Sequence, residues 1–232
     1  NPSQSSISGP EKVFPTPFET KVCFNGLFDC IEQPDPTAPR ITALESIIMY
    51  RAPYRNFGTY ESIVLNHVSD VSGQVGEGGD AAIRWYELRK QGNAPWQIYQ
   101  EGTYAPDVIT NRFMGTICTD EAGNIGLGYT GASEELNPGI YLTGRRSTDP
   151  LGQMTLDEYT LVPGASSHMD DSRWGDYSNL SVDTEDGRTF WFTGEYQPAG
   201  ANWGTRIGSF KIQRDTYDIK PIELLSPVAS AL

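Results

Sequence analysis

Arg112-Phe113-Met114-Gly115-Thr116-Ile117-Cys118-Thr119-Asp120 runs into Glu121-Ala122-Gly123-Asn124 and then Ile125-Gly126-Leu127-Gly128-Tyr129-Thr130. Apolar residues alternate on both sides of a Gly-Asn turn, the pattern of two antiparallel strands. Two further stretches follow the same template, about sixty residues apart. Upstream stands Arg55-Asn56-Phe57-Gly58-Thr59-Tyr60-Glu61-Ser62-Ile63-Val64-Leu65-Asn66. Downstream stands Arg173-Trp174-Gly175-Asp176-Tyr177-Ser178-Asn179-Leu180-Ser181-Val182-Asp183, with its own turn at Thr184-Glu185-Asp186-Gly187-Arg188 and a strand at Thr189-Phe190-Trp191-Phe192-Thr193. Each copy has an arginine, an aromatic within two residues, a glycine, an alternating apolar run and a closing Asn or Asp. A repeated β unit of this size predicts the blades of a propeller, small antiparallel sheets set around an axis. The expected class is therefore all-β: a partial β-propeller of about three four-stranded antiparallel blades at a period near sixty residues.

Further strands fall into place around the templates. In the first unit, Ala81 to Arg89 and Trp96 to Gln100 follow a Gly-rich connection at 72–80. That connection lacks the Lys-Ser/Thr ending of a phosphate loop. Gly139 to Arg145 and Trp203 to Ile212 extend the second and third units, which puts Ile83, Ile140 and Ile207 in equivalent third strands. Ser46 to Ala52 is expected as a strand, with a short helix through Ala43 to Ser46 as the competing reading. Residues 1–45 are expected to hold an outer strand at Lys12-Val13-Phe14, a cysteine loop and a Pro-rich connection from Gln33 to Pro39. Residues 46–212 hold the three blades. Residues 213–232, with Pro221 and Pro227, are expected to be a linker to a further domain. Three blades do not close a ring. The expected partners are thus the missing blades, upstream or in another chain, and the chain reads as a piece of a longer protein or a processed product.

Composition narrows the function classes. Thirty acidic against 17 basic side chains give a formal charge of −13, which repels phosphate backbones and anionic lipid, so neither nucleic acid nor a membrane surface is an expected partner. No apolar run reaches the ~18 residues of a spanning helix, and membrane insertion is not expected. The 24 Gly and 16 Pro suit short strands joined by turns. Cys23 and Cys30 flank Phe24-Asn25-Gly26-Leu27-Phe28-Asp29, a loop able to close as a disulfide, which indicates an oxidising compartment. Two reduced cysteines packed as small apolar groups are the alternative. Cys118 alternates with apolar neighbours and reads as a buried free thiol.

Several uncommon strings carry a resemblance. They are Met49-Tyr50-Arg51-Ala52-Pro53-Tyr54-Arg55-Asn56-Phe57-Gly58, Ile83-Arg84-Trp85-Tyr86-Glu87-Leu88-Arg89, Gln100-Glu101-Gly102-Thr103-Tyr104-Ala105-Pro106-Asp107, Thr143-Gly144-Arg145-Arg146-Ser147-Thr148-Asp149-Pro150-Leu151-Gly152 and Arg173-Trp174-Gly175-Asp176-Tyr177-Ser178. Over roughly residues 1–212 the chain resembles the C-terminal half of the propeller-like region of large secreted bacterial surface proteins, common in Bacteroidetes. The tail from Tyr217 resembles the lead-in to an immunoglobulin-like surface module of such proteins. The resemblance implies export, with the type IX secretion route as the candidate machinery, and display at the cell surface, where glycans are candidate partners. It implies no catalytic residue.

Three constellations bear on chemistry. Asp170, Asp171, Asp176, Asp183 and Asp186 crowd one stretch and supply hard oxygen ligands of the kind that bind Ca²⁺. The stretch lacks EF-hand spacing, and the preferred reading is structural turn aspartates; no cofactor is expected, with calcium the alternative. The Thr184 to Trp191 segment resembles the Asp-box turn of sialidase-type propellers, with Asp186 and Gly187 adjacent instead of separated by one residue. Arg55, Arg112 and Arg173, with Trp174, are the candidate ligand-binding residues. Facing an axis, the arginines would gather around one carboxylate, as in a sialidase, although repetition across units favours scaffold roles. Trp85, Trp96, Trp174, Trp191 and Trp203 offer either sugar-stacking platforms or packing between blades. The expected function is a non-catalytic propeller segment of an exported surface protein, for adhesion, display or protein interaction. A sialidase-like glycoside hydrolase or a glycan-binding lectin propeller is the alternative.

Overall fold

A computed structural model describes residues 9–23, 28–73, 79–200 and 203–213, together with the backbone of one further strand at Ile219–Leu225. The fold is all-β, with no helix among the described residues. A two-stranded ladder, β1 (Asp29–Ile31) with β2 (Ile41–Thr42), precedes three four-stranded antiparallel sheets. Sheet I is β3 (Tyr54–Asn56), β4 (Glu61–Asp70), β5 (Ala81–Lys90) and β6 (Gln97–Tyr104). Sheet II is β7 (Asn111–Thr119), β8 (Ile125–Ser133), β9 (Leu136–Arg145) and β10 (Tyr159–Val162). Sheet III is β11 (Asn179–Val182), β12 (Phe190–Tyr196), β13 (Gly204–Ile212) and β14 (Ile219–Leu225). Each is a meander in which sequence neighbours pair, and Ile83, Ile140 and Ile207 do occupy the third strand of their respective sheets.

Sheet II is covered on both faces, and β8 shows why. Its Ile125, Leu127 and Tyr129 point one way and pack with Val64, Ile83 and Trp85 of sheet I. The alternate positions are Gly126 and Gly128, because side chains from sheet III fill that space. A Cβ on Gly126 would lie 3.0 Å from the Phe190 ring, and one on Gly128 would lie 2.4 Å from the Phe192 ring. Glycine in a strand interior marks such close approach. Ile140, Leu142, Phe190, Phe192 and Phe210 complete this second core, and each fully buried large apolar side chain stabilises the fold by about 1.5–3 kcal/mol. A third cluster joins Val22, Ile31, Ile41, Met49, Val68, Phe113 and Trp174, so the N-terminal segment seals the ends of sheets I and II.

The Cys23–Cys30 disulfide is formed, with a Cα–Cα distance of 5.3 Å, and Cys118 is a buried free thiol. Three expectations need correction. Lys12-Val13-Phe14 pairs with no strand, since Pro10, Pro15 and Pro17 remove donors on either side; the segment has no regular structure, and its β-type pairing is the isolated Glu19–Asp70 bridge. It still packs on sheet I, where the Phe18 ring centroid is 4.8 Å from that of His67. Ser46 to Ala52 is neither strand nor helix. The Met49 N–H donates to Asn66 O and Pro53 O accepts from the Val64 N–H, but Pro53 has no donor of its own and the contacts with β4 do not form a continuous ladder before Tyr54. Lastly, part of the expected linker is β14, the edge strand of sheet III; Pro221 pairs opposite Phe210 beside a register shift, an arrangement that edge strands tolerate. Residues 214–218 and 226–232 of that linker lie outside the described residues.

Candidate functional site

The three template arginines have separate partners. Arg112, on β7, is 1% exposed and donates to Glu158 Oε2 at 2.9 Å, Asp107 Oδ2 at 2.5 Å and Thr110 O at 3.0 Å. Glu158 also accepts from Tyr129 Oη at 2.5 Å. Burial pushes the Asp107 carboxyl up, but hydrogen bonds from Arg112 and from the Thr110 and Ile109 N–H groups outweigh it and hold it at about 2. Arg112 is thus a strut tying two loops to β7. Arg55 donates through Nε to Thr119 O at 3.0 Å. Arg173 is largely exposed and pairs with Asp176. Trp174 is 1% exposed, its Nε1 donating to Thr130 Oγ1 at 3.2 Å, and it forms part of the lining of a cavity beside sheet III.

The aspartates divide into two groups. Asp183 and Asp186 shape the β11–β12 turn: Asp183 accepts from the Glu185 N–H and Trp191 Nε1, and Asp186 from the Arg188 and Thr189 N–H groups. Lys211 and Thr189 hold the Asp186 carboxyl well below the usual range. Asp120 plays the same part after β7, accepting from the Ala122 and Asn124 N–H groups. Asp170, Asp171 and Asp176 instead line a cavity of about 320 Å³ beside sheet III, together with His168, Glu195 and Trp203. Among the described residues, no group of three or more His, Cys, Asp or Glu side chains is placed to hold a metal ion.

Long-range contacts build this cavity. The His168 N–H donates to Gln33 Oε1 at 2.7 Å, and Gln33 Nε2 donates back to His168 O at 3.1 Å. The His168 ring is 3% exposed, lies edge-on to Trp174 and has Nδ1 3.2 Å from Gln197 Oε1. With an amide oxygen there, Nδ1 carries the hydrogen; in the neutral imidazole Nε2 is then the acceptor, and it is buried without a hydrogen-bond partner. Asp171 Oδ1 is 3.8 Å from Nε2. The Gly175 N–H donates to Glu195 Oε2 at 3.0 Å. Burial raises the Glu195 carboxyl above the ordinary range, with Asp176 and Asp171 adding to the rise and the Gly175 N–H and His168 opposing it. Gly175 and Asp176 have φ of 52° and 50°, a left-handed conformation that costs energy at Asp176. The exposed Trp203 forms one wall.

A second cavity, of about 350 Å³, draws on all three sheets: Arg51, Pro53, Tyr54 and Arg55 from the edge of sheet I, Cys118 and Thr119 from β7, and Val182 from β11. Thr119 Oγ1 is buried there without a hydrogen-bond partner. Burial raises the Cys118 thiol, and the two guanidinium groups only partly oppose the rise, so Cys118 is no activated nucleophile. His67, the other histidine, is satisfied by Val68 O at 2.8 Å and Tyr86 Oη at 3.0 Å.

Sequence reasoning selected Arg55 and the 170–176 aspartates but gave no role to Arg51 or Glu195, which the fold brings beside residues distant in sequence. No protein-family model, curated protein or solved structure matches the chain.

Proposed function

We propose that the chain is an arc of a β-propeller in an exported cell-surface protein, and that it works by binding, in adhesion, display or protein interaction, and not by catalysis. The observation that carries this reading is the stacking of three consecutive meanders, with the middle sheet buried on both faces by its sequence neighbours. That is how blades pack, and blades beyond sheets I and III would complete the ring. The disulfide supports an oxidising, extracytoplasmic location. No helix among the described residues is long and apolar enough to cross a membrane. The experiment is an experimental structure of the secreted parent protein. Rotational pseudo-symmetry relating the three sheets to further blades is the expected result, and a self-contained stack with no such symmetry overturns the reading. Protease shaving of intact cells tests display.

A second reading, recognition of an acidic glycan, is favoured by the three-sheet cavity. Arg51 and Arg55 place two guanidinium groups in one recess of a protein of charge −13, and paired guanidinium groups suit a carboxylate. Arg112 plays no part in it, so loss of binding in Arg112→Ala would report unfolding. Sialylated and uronate-containing glycans on an array, compared between the parent protein and its Arg51→Ala/Arg55→Ala variant, test the reading. Hydrolysis of fluorogenic glycosides that depends on Arg55 would replace binding with catalysis.

A further inference from the structure

We infer that the cavity beside sheet III, around His168, is a binding site for an organic cation, an alkylammonium or guanidinium group. This rests on the cavity alone and is independent of the propeller reading.

Its polar inventory is almost entirely acceptors. His168 Nε2 is buried without a hydrogen-bond partner and lies 3.8 Å from Asp171 Oδ1, which accepts the Arg173 N–H at 2.8 Å. The imidazole does not turn away from this position: Gln197 orients the ring and Gln33 clamps both backbone groups of the residue. Asp170, Asp171 and Glu195 add carboxylate oxygens. The single guanidinium, on Arg173, is already engaged by Asp176. A buried acceptor held in place without a donor calls for a ligand that brings one.

Charge selects among donors. Four carboxylates against one guanidinium leave the lining at a formal −3 with His168 neutral, within a chain that is itself −13. An anion is repelled, and a neutral sugar satisfies the lone pairs but leaves the charge uncompensated. A metal ion would need at least a third ligand, and none is placed for it among the described residues. An ammonium or guanidinium group supplies the donors and the charge together. Trp203, 58% exposed on the cavity wall, offers an indole face for cation–π contact, which is strongest with Trp.

The cation has two sources, a free small amine or the Lys or Arg side chain of a protein. The test titrates the folded chain with n-butylammonium, agmatine and the blocked peptide acetyl-Gly-Lys-Gly-amide. It follows the His168 imidazole by ¹H–¹⁵N correlation NMR and measures affinity by calorimetry. Saturable binding that moves the His168 Nε2 resonance is expected. Asp171→Asn, which removes the charge but keeps an amide oxygen for the Arg173 N–H, is expected to weaken it about fivefold, the loss of one partly screened charge pair. Trp203→Ala is expected to weaken it similarly, and Asp157→Asn, an exposed acid outside the cavity, to leave it unchanged. Tighter binding of the free amines identifies a small-molecule site, and tighter binding of the peptide identifies a protein side chain; either supports the inference. Failure of all three probes to perturb Nε2, binding indifferent to Asp171→Asn, or a response to Zn²⁺ or Ca²⁺ in place of the amines overturns it.

Discussion

Replacing Gly128 with alanine tests the stacking of sheets II and III, on which both the fold and the propeller reading depend. The added Cβ would sit 2.4 Å from Cδ2 and Cε2 of Phe192 and 3.1 Å from Leu142 Cδ2. The first approach is far inside van der Waals contact, and Phe192 is 1% exposed, walled by Ile140 and the rest of the second core. Its ring has no solvent-side escape, so the sheets must separate or the ring must leave its rotamer. Overpacking of this kind costs about 1–3 kcal/mol, partly offset by the roughly 0.5–1 kcal/mol that Ala gains over Gly in a strand interior. A net loss of about 1–2 kcal/mol is expected from urea denaturation followed by tryptophan fluorescence. Trimming Phe192 to leucine should make room for the methyl group. The Gly128→Ala/Phe192→Leu double variant should therefore be more stable than the sum of the single changes predicts, by about 1 kcal/mol. Gly9→Ala, where an added Cβ meets nothing within 4 Å, is the neutral control. Additivity in the cycle, or a Gly128→Ala variant as stable as the parent, would refute face-to-face packing of these sheets.

Four further outcomes follow from other contacts. Arg112→Met leaves Glu158 and Asp107 without their buried partner and should destabilise by about 3–5 kcal/mol, measured by the same denaturation. Because the folded Asp107 carboxyl sits at about 2, below its unfolded value of ~3.9, its stabilisation is present above pH ~4 and is lost as pH falls toward 2; Asp107→Asn should flatten the stability profile over that window. Burial lowers the His67 pKa, so the unfolded chain takes up the proton first and stability should fall as pH drops below ~6.5, a slope absent in His67→Gln. Removing the Cys23–Cys30 bridge, which closes a short local loop, should cost about 2–3 kcal/mol on the chain-entropy account, read as a lower urea midpoint on reduction.

Alternation made the long strands legible. Ile125-Gly126-Leu127-Gly128-Tyr129 and Ala81 to Arg89 declare themselves by period, and the Asp120 and Asp183 turns by composition. The first template copy misled in a specific way. Its apolar run is β4, the second strand of sheet I, whereas the runs of the other two copies are β7 and β11, first strands. Arg55 is therefore not the spatial counterpart of Arg112. The fourth strand of sheet III was hidden because Pro221 argues against a ladder, and only an edge position allows it. The N-terminal segment before β1 was hidden because only an isolated bridge at Glu19 joins it to a strand and side chains hold much of the rest, such as Thr16 Oγ1 accepting from Arg84 Nη2 at 2.7 Å.

Both cavities have key residues outside the repeated strands, and this follows from what repetition does. A residue that recurs in each sheet answers a need that each sheet has: Asp120 and Asp183 close equivalent turns, and Arg112 braces the loops around its own strand. The segments that connect or precede sheets carry no such duty. Residues 46–53 run irregularly beside β4, bonded to it at Met49 and Pro53, and bring Arg51 to the three-sheet recess. The segment 163–178, between β10 and β11, carries His168 to Gln33 and turns left-handed at Gly175 and Asp176 beside Glu195. Backbone strain at Asp176 and an unpartnered imidazole nitrogen both cost stability, as do the left-handed Met114 of β7 and the unpartnered Asn66 amide of β4. On the two binding readings proposed above, the ligand contacts fall to the irregular connections, and the repeated strands hold those connections in place.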